Sequence, residues 1–456
     1  MENLHLLPFH IVTLTHPDPA EAVAYGVRLG DDALPELRLD LFPEEDPVAL
    51  IDGLHRRCLV TCRRRSEGGQ WPDSEEAWRL EHLKRAVSAR PQWVDLEWDL
   101  AEPAWLHEHR AHIRLLRSVH VGEGIFDLET RLRKLPTGDA YKWVGRAKSL
   151  ADNALVKAGL AWARQHRITL SAFLMGAKGI PSRVLQAAWG GSFTYVAPDG
   201  ELAAAPGQLQ LKQLRAMRAA KLHADVGLCG VIGSPVLHSK GPDFHNPRFQ
   251  RNYKDLIYLP LECADAHEAT EALEALAVLG ISITAPLKES LPAALGMKGP
   301  LNTLWRRSPH EAWQGANTDA DALMTALKGL PRGAVLILGG GGVASTSAEV
   351  LARSGFRVLQ ATRNAIPADG EVRAAAPVGV IQATSLGMSP GDEMPFPGLL
   401  EASLPSLKWA IEWIYKEETA FSAWAKAHGV PLTDGGELFD LQAEAQSRRF
   451  ILGCGG

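Results

Sequence analysis

Val335-Leu-Ile-Leu-Gly-Gly-Gly-Gly-Val-Ala344 runs directly into Ser345-Thr-Ser-Ala-Glu-Val-Leu-Ala-Arg353. The four apolar residues predict a strand buried on both faces. The glycines let the backbone turn tightly and approach a pyrophosphate with no Cβ in the way, and the segment from Ser345 predicts the helix whose N-terminus would face that anion. Gly339, Gly341 and Ala344 stand at the key places of a G-x-G-x-x-A pattern. With Gly342, they are the residues a dinucleotide would meet. A second strand is expected over Phe356 to Gln360, so the reading is a Rossmann-type unit rather than an isolated glycine turn. An NAD site wants an acid at the end of that second strand. This one ends Gln360-Ala-Thr-Arg-Asn364, without an acid. Arg363 could meet a 2′-phosphate, so NADP is the expected cofactor.

This motif lies far down a chain of 456 residues, and the three hundred before it need another account. Such a length predicts two or three domains. The 48 basic and 53 acidic residues are interspersed and leave a net charge of −5, which argues against a nucleic-acid footprint. The five cysteines are odd in number and widely spread, which fits a reducing compartment better than a disulfide framework. No metal-ligand spacing stands out among the 16 histidines, so no metal is expected. There is no secretory signal pattern and no apolar run of membrane-spanning length. A cytoplasmic protein with small-molecule substrates, and no nucleic-acid or membrane partner, is expected. Oligomeric state is not legible.

From residue 1 to about 220, eight strand candidates alternate with helical patterns: Phe9–Leu14, Pro35–Leu41, Cys58–Cys62, Trp93–Glu97, Ile113–Ser118, Ala140–Val144, Ile168–Phe173 and Ser192–Val196. Helices are expected between them, as at Asp73–Ala89 and Ser149–Gln165. Eight β/α repeats in that length predict a compact (β/α)8 barrel with its chemistry at the C-terminal ends of the strands. Pro35-Glu-Leu-Arg-Leu-Asp-Leu-Phe42 alternates with period 2 and puts Glu36, Arg38 and Asp40 on one face. These charges either line a barrel interior, where they must pair or bind something, or sit on a solvated edge strand. Arg63 ends the next strand and Glu67 follows in a loop. His120 closes the fifth strand. Lys142, inside Ala140-Tyr-Lys-Trp-Val144, is the most telling residue. Either it snorkels at a strand end, or it is a desolvated amine with a lowered pKa, suited to attack a carbonyl. Arg183, after a glycine-rich loop, could clamp a carboxylate.

In order, ELRLD (36–40), TCR (61–63) with EGG (67–69), VDLE (94–97), SVH (118–120), the strand lysine, MGAKGIPSR (175–183), GSFTY (191–195) and APGQ (205–208) resemble the type I 3-dehydroquinate dehydratase family. The resemblance implies that Lys142 forms an imine with the substrate ketone. It implies that His120 removes the acidified proton and later protonates the departing hydroxyl, with Glu67 orienting it. Arg183 and Gln208 would hold the substrate, with Glu36, Arg38 and Arg63 lining the pocket. Two departures are visible: Ala204 replaces the serine of the family's flap, and Val121-Gly-Glu follows the histidine.

After a connector at 211–226, GVIGSPVLHSKGP (230–242), SITAPLK (282–288), NTL (302–304), GANTD (315–319), LGGGG (338–342), QATSLGM (382–388) and GGELFDLQA (435–443) resemble shikimate dehydrogenase. Here the resemblance implies that Lys288 and Asp319 flank the reacting hydroxyl. Ser239, Thr284, Asn302 and Gln442 would contact substrate. Gly241 stands where that family has a second serine, which could loosen the carboxylate end of the pocket or make room for quinate.

The expected chain is therefore α/β throughout. A dehydratase barrel spans 1–222, and a dehydrogenase spans 226–456. The dehydrogenase has a substrate part at about 226–320 with C-terminal helices at 435–456, and an NADP-binding part at about 321–434. It would turn 3-dehydroquinate into 3-dehydroshikimate and reduce that to shikimate. Rival readings are a quinate dehydrogenase in the second half, or a non-catalytic metabolite sensor.

Overall fold

The computed structural model describes residues 7–124, 126–389, 391–415 and 418–455. The chain divides into two compact units, Met1–Val278 and Leu279–Gly456.

The first unit opens with eight strands: β1 (His10–Thr13), β2 (Ala33–Arg38), β3 (Leu59–Thr61), β4 (Trp93–Glu97), β5 (Arg114–His120), β6 (Ala140–Arg146), β7 (Leu170–Met175) and β8 (Thr194–Val196). They form one sheet in the order β7-β6-β5-β4-β3-β2-β1-β8, and the strand pairings in it are parallel. Just before β8, the Ser192 N–H donates to Leu170 O of β7 at 2.8 Å. The barrel is thus nearly closed. Helices such as Pro19–Val27, Glu76–Ser88 and Asn153–Gln165 lie between successive strands, as parallel crossovers require.

Burial on both faces explains the strand sequences. Leu37, Val60, Val94, Leu96 and Leu115 pack outward against helix residues such as Ile51, Leu83 and Val87. Ile11, Leu34, Leu59, Trp93, Leu116, Ala140 and Phe193 form a separate interior cluster. Two residues further along, the same inner face carries Thr13, Glu36, Thr61, Asp95, Ser118, Lys142 and Tyr195, all buried. An apolar layer thus supports a polar one.

Some expected boundaries shift. The alternation at 36–40 stops at Arg38, because Leu39–Leu41 is a 3-10 turn. Asp40 therefore does not share a strand face with Glu36 and Arg38. Strands β5, β6 and β7 run two residues beyond their expected C-terminal ends, which brings His120 into β5. The helices expected from Asp73 and Ser149 begin as 3-10 turns and become α-helical at Glu76 and Asn153. The first unit then adds β9 (Gly227–Gly233) and β10 (Leu256–Glu262), a parallel pair.

Around the division lies β11 (Val278–Ile283), followed by β12 (Thr303–Trp305) and β13 (Gln314–Ala316). These three pair antiparallel in sequence. The second unit continues with β14 (Ala334–Leu338), β15 (Arg357–Ala361), β16 (Gly379–Gln382), β17 (Trp409–Glu412) and β18 (Leu432–Thr433). They form a parallel sheet in the order β15-β14-β16-β17-β18. Leu336 and Leu338 of β14 pack into one cluster, while Val335 and Ile337 pack into another. That two-sided burial is why the strand reads as an unbroken apolar run. The chain reverses its winding at β14, so the crevice past its C-terminal end is the binding position of a doubly wound sheet. All five cysteines are buried. Among the described residues no helix is long and apolar enough to cross a membrane.

Candidate active sites

At the C-terminal end of the barrel strands is a cavity of about 270 Å³. Its wall includes Lys142, His120, Glu67, Glu36, Arg38, Arg63, Arg183 and Gln208, together with Tyr195. All eight residues expected to act in the first half therefore meet in one place.

Lys142 projects from the middle of β6 and is buried. Burial lowers its amine to about 8; Glu36 opposes that shift and Arg63 adds to it. The lysine is thus no snorkelling strand end. Glu36 is itself fixed by Thr13 Oγ1, which donates to it at 2.6 Å, and Thr61 Oγ1 at 2.9 Å.

Glu67 sits in a short 3-10 turn after β3 and reaches His120 twice. Its Oε2 accepts from the His120 backbone N–H at 3.2 Å and lies 3.0 Å from Nδ1. A carboxylate only accepts, so Nδ1 carries the proton and Nε2 is the basic nitrogen. Burial, followed by the charges of Arg63 and Lys142, holds His120 well below the usual imidazole range. The ring is a neutral base at neutral pH.

Arg63 ties the polar layer together. It pairs with Asp95 and stands 3.6 Å from Glu97, and it donates to Ser118 Oγ at 2.7 Å and to Glu67 at 3.4 Å. Arg38 instead grips Asp40 at 2.7 and 2.6 Å. Asp40 also accepts from the backbone N–H of Arg63 and Gln70, each at 3.0 Å. It anchors the loop and leaves substrate contact to others. Arg79, on the helix Glu76–Ser88, crosses to Glu97 at 3.1 and 3.0 Å. Sequence reasoning missed it, since a helical arginine gives no sign of pointing inward.

Arg183 differs from its neighbours. It is buried over the Phe173 ring, 4.3 Å from the centroid, and no carboxylate among the described residues pairs with it. Burial alone lowers it to about 9. A desolvated guanidinium with no internal counter-ion suits an anionic ligand. Gln208 holds the flap, accepting from Ala204 N–H at 2.9 Å and donating to Thr13 Oγ1 at 3.4 Å.

In the second unit, Lys288 Nζ lies 3.7 Å from Asp319 Oδ2. Asp319 lies in the first turn of the helix Thr318–Ala326, whose N-cap Asn317 accepts from the Asp319 N–H at 3.1 Å. Burial raises the Asp319 carboxyl, and Lys288 and Asn302 offset part of the rise. Asn302 Oδ1 accepts from Thr318 N–H at 2.8 Å, so its amide is held beside the helix start. Thr284 follows β11 directly. Gln442 is on the long helix Gly435–Gly453; one turn on, Gln446 is pinned by Ser282 Oγ at 2.9 Å and donates to Thr303 Oγ1 at 3.1 Å. Sequence reasoning did not single out Gln446.

Ser239 lies in the first unit, its Oγ accepting from Gly241 N–H at 3.1 Å. A Cβ on Gly241 would meet Tyr258 Cε1 at 2.7 Å and Ser239 Oγ at 3.2 Å. A side chain starting at Gly241 would thus run into Tyr258 and Ser239.

The glycine loop after β14 is open where a ligand would approach. Nothing lies within 4 Å of a Cβ built on Gly341 or Gly342. Gly339 has φ +126°, and a Cβ there would strike Ala383 O at 2.6 Å, so only glycine fits. Ala344 is buried in the core, and Gly341 caps the helix Gly342–Arg353. Arg363 is exposed two residues past β15. Beside the loop, Val343, Thr384, Met388, Ile414 and Tyr415 help line a cavity of about 340 Å³. A backbone cradle at a helix N-terminus fits a pyrophosphate.

These features define a chain of two enzyme types, a lyase of the parallel-barrel kind followed by a dehydrogenase with a dinucleotide-binding fold. Residues 10–222 match the family described as type I 3-dehydroquinase, and residues 231–298 match the shikimate dehydrogenase substrate binding domain. The chain joins these two families and is a bifunctional enzyme of the shikimate pathway. Among solved structures, it is similar to the dehydroquinate dehydratase and shikimate dehydrogenase from S. pombe AroM, at 20% identity over 98% of this chain and 95% of that one, with a TM-score of 0.42. Shikimate dehydrogenase from Aquifex aeolicus matches at 25% identity over 50% of this chain and 93% of its own, with a TM-score of 0.44. Shikimate 5-dehydrogenase from Thermus thermophilus, in complex with NADP(H) and shikimate, matches at 24% identity over 49% and 93%, with a TM-score of 0.42.

Proposed function

We propose that a dehydratase over residues 1–222 and a dehydrogenase over 226–456 perform consecutive steps, with the residues named above in the following roles. Lys142, as a neutral amine, adds to the ketone of 3-dehydroquinate, and loss of water gives the protonated imine. His120 takes the proton from the adjacent carbon through Nε2, and the electron pair flows toward the imine nitrogen. His120 then returns that proton to the departing hydroxyl, which leaves as water. Hydrolysis of the imine frees Lys142 and 3-dehydroshikimate. Glu67 keeps the proton on Nδ1. Arg183 binds the substrate carboxylate, Gln208 closes the flap, and Glu36, Arg38 and Arg63 meet the hydroxyl groups. The observation that carries this reading is a buried amine lowered to about 8 in the same cavity as a neutral histidine and a buried guanidinium with no carboxylate partner among the described residues.

In the second half, Gly339, Gly341, Gly342 and Ala344 would hold the pyrophosphate of NADP, and Arg363 its 2′-phosphate. NADPH, when bound, supplies hydride chemistry. Lys288 and Asp319 deliver the proton that the reduced carbonyl oxygen needs, while Ser239, Thr284, Asn302 and Gln442 orient the ring. The substrates are small and soluble, and a cytoplasmic setting suits them. Borohydride added with 3-dehydroquinate tests the first half. The modified peptide should contain Lys142, and K142A should neither trap nor dehydrate. Modification at another lysine, or dehydration by K142A, contradicts the roles assigned.

A further inference from the structure

The face of the Tyr195 ring lies against the Lys142 amine, whose Nζ stands 3.8 Å above the ring centroid. Tyr195 belongs to β8, two residues beyond Phe193 on the inner face of the barrel. Its ring is wedged near Phe173, at 6.0 Å and 49°, and Phe193, at 6.1 Å and 59°. The Tyr195 hydroxyl is buried and has no hydrogen-bond partner among the described residues. Buried phenols usually find one. The ring, not the hydroxyl, is therefore what is held in place here. Burial, with Glu36 and Asp95 adding to it, pushes the phenol well above 10, so the group stays neutral and supplies no base.

A cation 3.8 Å over an aromatic face is attracted by the negative face of the ring quadrupole, and the attraction is strongest where water is excluded. The nitrogen that carries the ammonium charge is the same atom that carries the charge of the protonated imine. Resting on the Schiff-base reading above, we infer that the Tyr195 ring is a catalytic residue of the dehydratase site, a π surface that carries the positive charge of the Lys142 nitrogen as ammonium and as imine. The ring offsets part of the desolvation that drives the amine pKa down. It also favours the charged imine over its neutral carbinolamine precursor. Arg183 over Phe173, at 4.3 Å, shows the same pairing of buried cation and ring one strand away.

The test uses the full chain as wild type, Y195F and Y195L. Leucine keeps the site apolar and dry while removing the π face; phenylalanine keeps the face and removes the hydroxyl. The pH dependence of Lys142 modification by an amine-reactive reagent gives its pKa by peptide mass mapping. Borohydride trapping with 3-dehydroquinate gives the imine fraction. Near-ultraviolet circular dichroism and the thermal unfolding midpoint, in the same preparations, check that the barrel of each variant is folded. In Y195L the Lys142 midpoint should fall by about half a unit to one unit, and the trapped fraction should drop several-fold. Y195F should rescue both. A Y195L midpoint equal to wild type overturns the inference, as does a Y195F shift as large as that of Y195L, which would assign the effect to the hydroxyl. If wild type is not trapped at Lys142, the Schiff-base reading itself fails.

Discussion

Replacing Glu67 by glutamine isolates the proton-transfer half of the dehydratase from imine formation. The wild-type carboxylate is surrounded by donors. Oε2 faces His120 N–H at 3.2 Å, Nδ1 at 3.0 Å and Arg63 at 3.4 Å, while Oε1 faces Arg64 at 2.8 Å. An amide has one oxygen for these two sides. With the oxygen toward His120, the NH2 group opposes the Arg64 guanidinium. With the amide flipped, the NH2 group faces Nδ1 and forces the proton onto Nε2, which removes the base. Each charge-assisted hydrogen bond lost here is worth about 1.5–3 kcal/mol, and a misaligned base forfeits part of the roughly 10²–10⁴ that such catalysis supplies. The expected result for E67Q is a fall in kcat of about 10²-fold with a much smaller change in KM. Lys142 does not depend on Glu67 for its amine, so borohydride trapping should persist. The assay follows the ultraviolet absorbance of the conjugated enone, without NADPH so that the second step is silent. A kcat within about threefold of wild type, or loss of trapping, would refute the reasoning.

Three further outcomes follow from the same geometry. In the proposed role the Lys142 amine attacks as the neutral form, and it sits at about 8, so dehydratase kcat/KM should rise with pH through about 8 and flatten above it. A profile already flat below pH 7 would contradict that. G339A places a Cβ 2.6 Å from Ala383 O in a left-handed backbone, so the NADPH KM should rise at least about tenfold while dehydration continues; the strain is of order 1–3 kcal/mol. R363A should raise the NADPH KM by roughly tenfold, as for one charged contact, and leave that for NADH nearly unchanged; equal effects on both would remove Arg363 from the 2′-phosphate.

The barrel was legible because each strand is buried on both faces, which forces apolar residues outward and leaves any charge that faces inward to pair with another or meet a ligand. That is why Glu36, Lys142 and His120 stood out, and they meet in one cavity. Asp40 misled the period-2 reading because a 3-10 turn rotates the backbone after Arg38, and no residue type in Leu39–Leu41 announces such a turn. Arg79 was invisible for a different reason. Its partner Glu97 arrives from a strand, and pairing across elements leaves no spacing signature. Tyr195 entered only as the end of the GSFTY motif, and only its place against the Lys142 nitrogen gives it meaning. The glycine loop was the clearest signal of the second half, since the steric demand at Gly339 is local to the motif. Gly241 was ambiguous because its neighbour Tyr258 is seventeen residues away in sequence and fills the space beside it.

The decisive incubation is the purified chain with 3-dehydroquinate and NADPH, followed by identification of the product and the NADPH consumed. Shikimate, formed with one NADPH oxidised per molecule and lost in K142A unless 3-dehydroshikimate is supplied, is the predicted result. Quinate as the product, or shikimate formed by K142A from 3-dehydroquinate, would contradict it.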